Sequence, residues 1–275
     1  MPYDLSQQFL SSPTNGNHIS NDISASANPT PISPTRICIT NGTFQNLASI
    51  MEAFTDPIYT RRIWMVEPTY FHACTIFEDA GFQGRLVGIP EDEEGLDVQF
   101  LRGQMEIAEA EAEADRPVPL KKSPRYEKLY RHVIYLVPTF SNPSAKTYTL
   151  SRKESLVRLE REFNALLVTD DCYDFLSWAL EPPPTSSSTV NALKQETIGG
   201  FFLYIVFPEG IDADDVAKVA LEEYNLRFLS AGAMAVRGSP KNHSEALLKR
   251  GARLCWAWEE ERDIVEGAKR VGRVF

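Results

Sequence analysis

The sequence predicts an α/β fold on a mostly parallel, three-layer sheet, followed by a smaller C-terminal α+β unit. Two observations predict it. Short apolar runs alternate with segments whose apolar residues recur every three or four positions, the βαβα rhythm that lays helices on both faces of a parallel sheet. That rhythm stops at Glu181–Val190, EPPPTSSSTV, and a different one follows. The composition agrees: 275 residues, 43% hydrophobic and 24% charged, are globular values, enough to bury a core without disulfides.

Each element can be justified in order. Residues 11–35 are rich in Ser, Asn, Pro and Thr and read as a disordered leader, so the predicted leader is 1–35. Arg36–Thr40 reads as a short buried strand. Asn41-Gly42-Thr43 then opens a helix through about Phe54, with Leu47, Ile50, Met51 and Phe54 on one stripe. Ile63–Val66 is a strand ended by Glu67-Pro68, Thr69–Ala80 a helix, and Arg85–Ile89 a strand. A helix from Asp97 to Met105 runs into the acidic stretch Glu106–Asp115, read as a solvated helix end or insertion. Val133–Val137 is a buried strand stopped by Pro138. Ser151–Asn164 carries a capping-box pattern, Ser151 with Glu154 three residues on. Leu166–Thr169 closes the first domain, predicted to span 36–180, and 181–198 is the linker. The second domain, 199–275, contains a strand at Phe201–Phe207, a helix at Asp212–Tyr224, a strand at Arg253–Trp258 and a helix at Glu260–Gly272.

Charge and cysteines exclude several function classes. A net charge of −10, from 28 basic and 38 acidic residues, argues against a phosphate-backbone binder. The four cysteines (Cys38, Cys74, Cys172, Cys255) have no CxxC spacing and no accompanying His cluster, which argues against zinc and suits a reducing compartment. No apolar run reaches spanning length, and Met1–Leu10 lacks a signal-peptide pattern. The expectation is a soluble cytoplasmic protein without nucleic-acid or membrane partners.

In a doubly wound sheet, ligands sit beyond the carboxyl ends of the strands. Those ends carry Asn41-Gly42-Thr43, Glu67-Pro68-Thr69-Tyr70, Pro138–Ser144 and Asp170-Asp171-Cys172-Tyr173. A helix N-terminus holds phosphate, a tyrosine ring stacks on a planar heterocycle, and an amide or phenol bonds a phenolate oxygen. A carboxylate pairs with a protonated ring nitrogen. Together these describe a pocket for pyridoxal 5'-phosphate. Taken singly, Tyr70 reads as a packed helix-start residue, Asn142 as a turn former, Asp170-Asp171 as a strand end and Arg253 as a surface ion pair.

The strings TNGTFQNL (40–47), VEPTYF (66–71), VPTFSNPSAKTYTLSRKESL (137–156) and LLVTDDCYDFL (166–176) resemble the fold-type I, class I/II aminotransferases, nearest to the 2-aminoadipate and kynurenine type. GGFFLYIVFPEG (199–210) and ARLCWAWEEERDIVEGAKRVG (252–272) resemble that family's small domain. The resemblance implies a partial pyridoxal-phosphate transferase large domain. It implies a phosphate cradle at Gly42, Thr43 and Phe44, although Thr43 and Phe44 depart from the commoner Ser-Gln-like pair. It also implies a stacking ring at Tyr70, contacts to the ring oxygen from Asn142 and Tyr173, a partner for the ring nitrogen in Asp170, and a substrate carboxylate clamp in Arg253.

One expected part is absent. The family's Schiff-base lysine lies in a Ser-x-x-Lys motif followed by Pro-Gly-Leu-Arg, well downstream of the Asp-x-x-Tyr block, and no such motif occurs here. Lys194 is the nearest lysine in chain order and also fits a solvated linker residue; Lys146 reads as a loop residue. Three readings follow: an aminotransferase acting on an amino acid and a 2-oxo acid; a non-catalytic homologue, paired with itself or with a full-length homologue; or a shortened gene product.

Overall fold

The computed structural model describes residues 32–113, 118–122, 125–126, 128–179, 197–239 and 244–274. Most of the predicted leader, most of the predicted linker and Lys194 lie outside them. The chain divides into two units, Met1–Asn41 and Gly42–Phe275. In the first, Pro34–Arg36 forms a 3-10 turn whose Ser33 hydroxyl accepts the Thr35 amide at 3.4 Å. The strand expected at Arg36–Thr40 does not form. An apolar run becomes a strand only when it joins a sheet ladder, and this one is in none of the sheets among the described residues.

The second unit opens with α1 (Thr43–Phe54), β1 (Arg62–Glu67), α2 (Phe71–Phe77), β2 (Leu86–Asp92), β3 (Gly95–Leu96) and α3 (Val98–Glu113). It continues through β4 (His132–Leu136), α4 (Leu150–Glu162) and β5 (Ala165–Thr169). The sheet order is β3-β2-β1-β4-β5. All its pairs are parallel except β2 with β3. This is the mostly parallel sheet the alternation predicts.

The burial pattern follows from the layering. Every residue of β4 is buried, as expected of a parallel strand covered on both faces. On one face α1 and α2 contribute Leu47, Met51, Cys74 and Phe77 to a core with Ile63, Met65 and Tyr135. On the other, α3 and α4 contribute Leu101, Met105, Leu156 and Leu159 to a core with Trp64, Ile89 and Ile134. α3 is longer than expected, because its acidic C-terminal turns meet the basic N-terminal ends of β1 and β4. Glu109 pairs with Arg131 at 3.1 Å and with His132 at 2.8 Å, and Glu111 with Arg62 at 3.4 Å. The capping-box assignment is corrected. α4 starts one residue earlier than expected, and Thr149, not Ser151, is its N-cap, its hydroxyl accepting the Arg152 amide at 3.2 Å.

Beyond β5 come two short strands, β6 (Ser177–Ala179) and β7 (Thr197–Gly199), paired antiparallel. Next are β8 (Phe202–Val206), α5 (Ala213–Tyr224), β9 (Leu229–Ser230), α6 (Glu245–Arg250), β10 (Gly251–Cys255) and α7 (Glu261–Val274). β8, β10 and β9 form an antiparallel sheet in that order, the α+β character expected of the tail. The chain returns from it to the main sheet. Val236 donates its amide to Glu67 at 2.8 Å, and Gly88 donates to the Ser239 hydroxyl at 2.9 Å. Gly88 permits this approach, since a Cβ there would lie 2.6 Å from the Glu67 carboxyl carbon.

Candidate functional site

The carboxyl ends of β4 and β5 carry the site. Val137 follows β4 and Asp170 follows β5, where the Asp170 amide extends the ladder to Leu136 at 3.0 Å. The turn after β5 then presents Cys172 and Tyr173, and α2 begins just after Tyr70. These residues, with Thr43 from the first turn of α1 and Asn142 from the loop after β4, line one cavity of about 120 Å³. Thr43, Tyr70, Asn142, Asp170 and Tyr173 are thus brought together from four separate segments. Gly42 is the N-cap of α1, with φ 113°, and has no side chain with which to cap the first turn. Phe44 is half exposed, and its side chain lines a different cavity, between α1 and α2.

The electrostatics follow from burial. Asp170 is pushed above the ordinary carboxylate range by burial, against the pull of the Tyr135 hydroxyl, which donates to its Oδ2 at 3.1 Å. Burial, with Asp170 beside it, raises Tyr70, and burial with Cys172 raises Tyr173. Both phenols are therefore neutral donors at ordinary pH. Burial, with Asp170 beside it, lifts the Cys172 thiol to about 11, which keeps it protonated at ordinary pH.

Arg253 reaches this cluster from β10. Its Nη1 donates to Asn142 Oδ1 at 2.7 Å, and its guanidinium lies 4.3 Å from the centre of the Phe202 ring. Phe202 and Phe201 in turn pack edge-on against Tyr173 at 5.8 and 5.4 Å. Burial lowers Arg253 from its ordinary value, but a guanidinium stays charged in proteins. Its Nε is buried and has no hydrogen-bond partner among the described residues. Sequence reasoning missed Tyr135, Cys172 and Phe202. Tyr135 sits inside a strand that reads as pure core, and no local signal marks its hydroxyl as facing Asp170.

The family model for aminotransferase class I and II matches residues 23–194, more than half of the chain. The chain belongs to this family. It is 29% identical over 153 residues to aromatic-amino-acid aminotransferase 1 of Thermococcus litoralis, a match covering 55% of this chain and 32% of that protein. It is 28% identical over 149 residues to the mitochondrial kynurenine/alpha-aminoadipate aminotransferase of Bos taurus, covering 54% and 32%. Its fold matches the crystal structure of Pyrococcus horikoshii kynurenine aminotransferase, with a TM-score of 0.62 at 19% identity, over 86% of this chain and 73% of that one. The chain spans about a third of the length of these two curated relatives. The family depends on pyridoxal phosphate. Among the described residues, no helix is long and apolar enough to cross a membrane.

Proposed function

We propose that the cavity holds pyridoxal 5'-phosphate and that the chain serves amino-group transfer between an amino acid and a 2-oxo acid, of the kynurenine or 2-aminoadipate kind named for its relatives. The observation that carries this reading is the convergence of Thr43, Tyr70, Asn142, Asp170 and Tyr173 on one cavity. A half-buried carboxylate held above its ordinary range gains from a protonated ring nitrogen, so Asp170 fits that partner. The Tyr70 ring suits a planar heterocycle, and Asn142 and Tyr173 suit its ring oxygen. The first turn of α1, from Gly42 through Thr43 and Phe44, suits the phosphate. Arg253 suits a substrate carboxylate: one donor is committed to Asn142, while the buried Nε awaits an acceptor. When bound, the cofactor supplies an electron sink for the substrate's α-carbon.

A second reading, a homologue that binds the cofactor without turning it over, is favoured by one observation. No lysine is among the described residues that line the cavity, and Lys194 lies outside the described residues. Pairing with a second copy or with a full-length homologue belongs to this reading. One experiment separates the two. The full chain is titrated with pyridoxal 5'-phosphate by absorbance, reduced with borohydride, and mapped for a pyridoxyl-modified lysine. Modification at Lys194 that is lost in Lys194→Ala, with amino-group transfer, supports the first reading. Saturable binding with no modified lysine supports the second. No binding at up to millimolar cofactor overturns both.

A further inference from the structure

The cluster around Glu91 lies outside the cavity and has no part in the reading above. Glu91 stands on β2 near the carboxyl end of the sheet, with its side chain 5% exposed. Its Oε2 accepts the Ser144 hydroxyl at 3.1 Å, and its Oε1 lies 3.7 Å from Lys146 Nζ. Lys146 also donates to the Asp92 carbonyl at 2.8 Å. Ser144 and Lys146 belong to the loop that carries Asn142, and that loop is closed on itself. Ser141 donates its amide to the Lys146 carbonyl at 2.8 Å, and Ala145 donates to the Ser141 carbonyl at 2.7 Å. A carboxylate that holds Ser144 and Lys146 therefore holds the turn bearing Asn142, whose amide oxygen in turn fixes Arg253 at 2.7 Å. A second route runs through β8. Tyr204, which feels the Glu91 charge, is the direct cross-strand partner of Arg253.

We propose that Glu91 is a positioning residue which, through Ser144 and Lys146, sets Asn142 and the carboxylate-binding donors of Arg253. The ligand part of this proposal rests on the reading of Arg253 given above; the positioning part does not. The ionised form holds the loop more firmly, since it adds an ion pair to Lys146 and accepts a charge-assisted bond from Ser144. Burial pushes Glu91 up to about 7 against the pull of Lys146 and Ser144, with Asp92 adding to the rise. The groups facing it are Lys146 from the loop, Asp92 from its own strand, Tyr148 beyond the loop and Tyr204 from β8. The Glu94 amide, which donates to Asp92 at 2.8 Å, and Arg152 of α4, which pairs with it at 2.7 Å, outweigh burial and hold Asp92 below its ordinary value. Burial, with Glu91 beside it, holds each tyrosine neutral, so Glu91 is the group of this cluster that changes charge near neutrality.

The test uses the full chain without cofactor. The Arg253 Nε–H resonance is assigned by its loss in Arg253→Lys and followed from pH 5.5 to 8.5. The expected result is a shift in the wild type with a midpoint near pH 7, which Glu91→Gln abolishes. Lys146→Met, which removes the ion pair but keeps the acid, moves that midpoint upward, and this second variant decides the matter should Glu91→Gln fail to fold. A resonance that does not titrate, a titration unchanged in Glu91→Gln, or a midpoint unmoved in Lys146→Met overturns the proposal. With pyridoxal 5'-phosphate added, glutarate affinity is expected to rise about threefold to tenfold from pH 6 to 8 in the wild type and to stay flat in Glu91→Gln. Equal rises in both proteins overturn the proposal. A titrating Arg253 that binds no glutarate at any pH overturns the carboxylate reading of Arg253 and supports the positioning role of Glu91.

Discussion

Asp170 shows how a site residue can cost stability where it serves binding. Its carboxylate is held above the ordinary range by burial, so ionisation is worse for it in the folded chain than in the unfolded one. Replacing it with Asn keeps the shape and leaves an acceptor for the Tyr135 hydroxyl, which now donates to Oδ2 at 3.1 Å. Asp170→Asn is therefore expected to raise the melting temperature of the cofactor-free chain at pH 7. The same change removes the charge that suits a protonated ring nitrogen, and hydrogen bonds to charged groups contribute about 1.5–3 kcal/mol. Affinity for pyridoxal 5'-phosphate should fall at least tenfold, read by absorbance titration on the same sample. A variant that binds the cofactor as tightly as the wild type would show that Asp170 does not face the ring. The placement of Asp170, Asn142 and Tyr70 at strand ends was legible in the sequence, because each follows an apolar run where a parallel sheet exposes its strand ends; their roles toward a cofactor came from the family resemblance. Tyr135 and Glu91 were not legible, because their roles come from neighbours 35 and 53 residues away in the chain.

At the scale of elements, legibility tracks how much of a segment's structure is decided within it. β1, β4, α1 and α4 carry their own periodicity, so composition and spacing place them to within a residue or two. β6, β7 and β9 have only two or three residues each, and their strand character comes from pairing. The run Arg36–Thr40 is the converse: strand-like residues that belong to none of the sheets among the described residues. The start of α4 can be tested directly. Thr149 accepts the Arg152 amide, whereas Ser151 lies one residue inside the helix and is exposed. An N-cap Thr→Ala costs about 1 kcal/mol, which in a chain of this size lowers the melting temperature by about 2–4 °C. Thr149→Ala should show that fall in a thermal melt, and Ser151→Ala should stay within about 0.5 kcal/mol of the wild type. Equal losses would return the cap to Ser151.

Across the whole molecule, two buried titratable groups at opposite ends of the sheet pull its pH-stability profile in opposite directions. His132, at the N-terminal end of β4, is lowered to about 4 by burial, although the Glu109 carboxylate 2.8 Å from Nε2 pulls it upward. Burial pulls Glu109 upward too, but Arg131 and His132 outweigh it and keep the carboxylate ionised. Between about pH 4 and 6.5 the unfolded chain takes a proton at this histidine that the folded chain refuses, so this term makes stability rise with pH. Glu91, at the other end of β2, is raised to about 7. Between about pH 4.5 and 7 the folded chain keeps a proton there that the unfolded chain has lost, so this term makes stability fall as pH rises. From about 4.5 to 6.5 the slopes are equal and opposite, and the wild-type profile owes little to either. Each is exposed by removing the other. Glu91→Gln should gain on the wild type as pH rises from 5 to 8, by up to about 3 kcal/mol, since each pKa unit is about 1.4 kcal/mol. His132→Gln, which can still donate to Glu109, should fall behind the wild type as pH rises from about 4 to 6.5, because it lacks the histidine's rising contribution. Urea unfolding of the three proteins at pH 4.5, 5.5, 6.5 and 8 measures both differences. Among the described residues, the hydrogen-bond and charge partners of the two groups do not overlap, so the double variant should show the sum of the single effects at every pH; a departure beyond about 0.5 kcal/mol would mean that the two ends of the sheet are coupled.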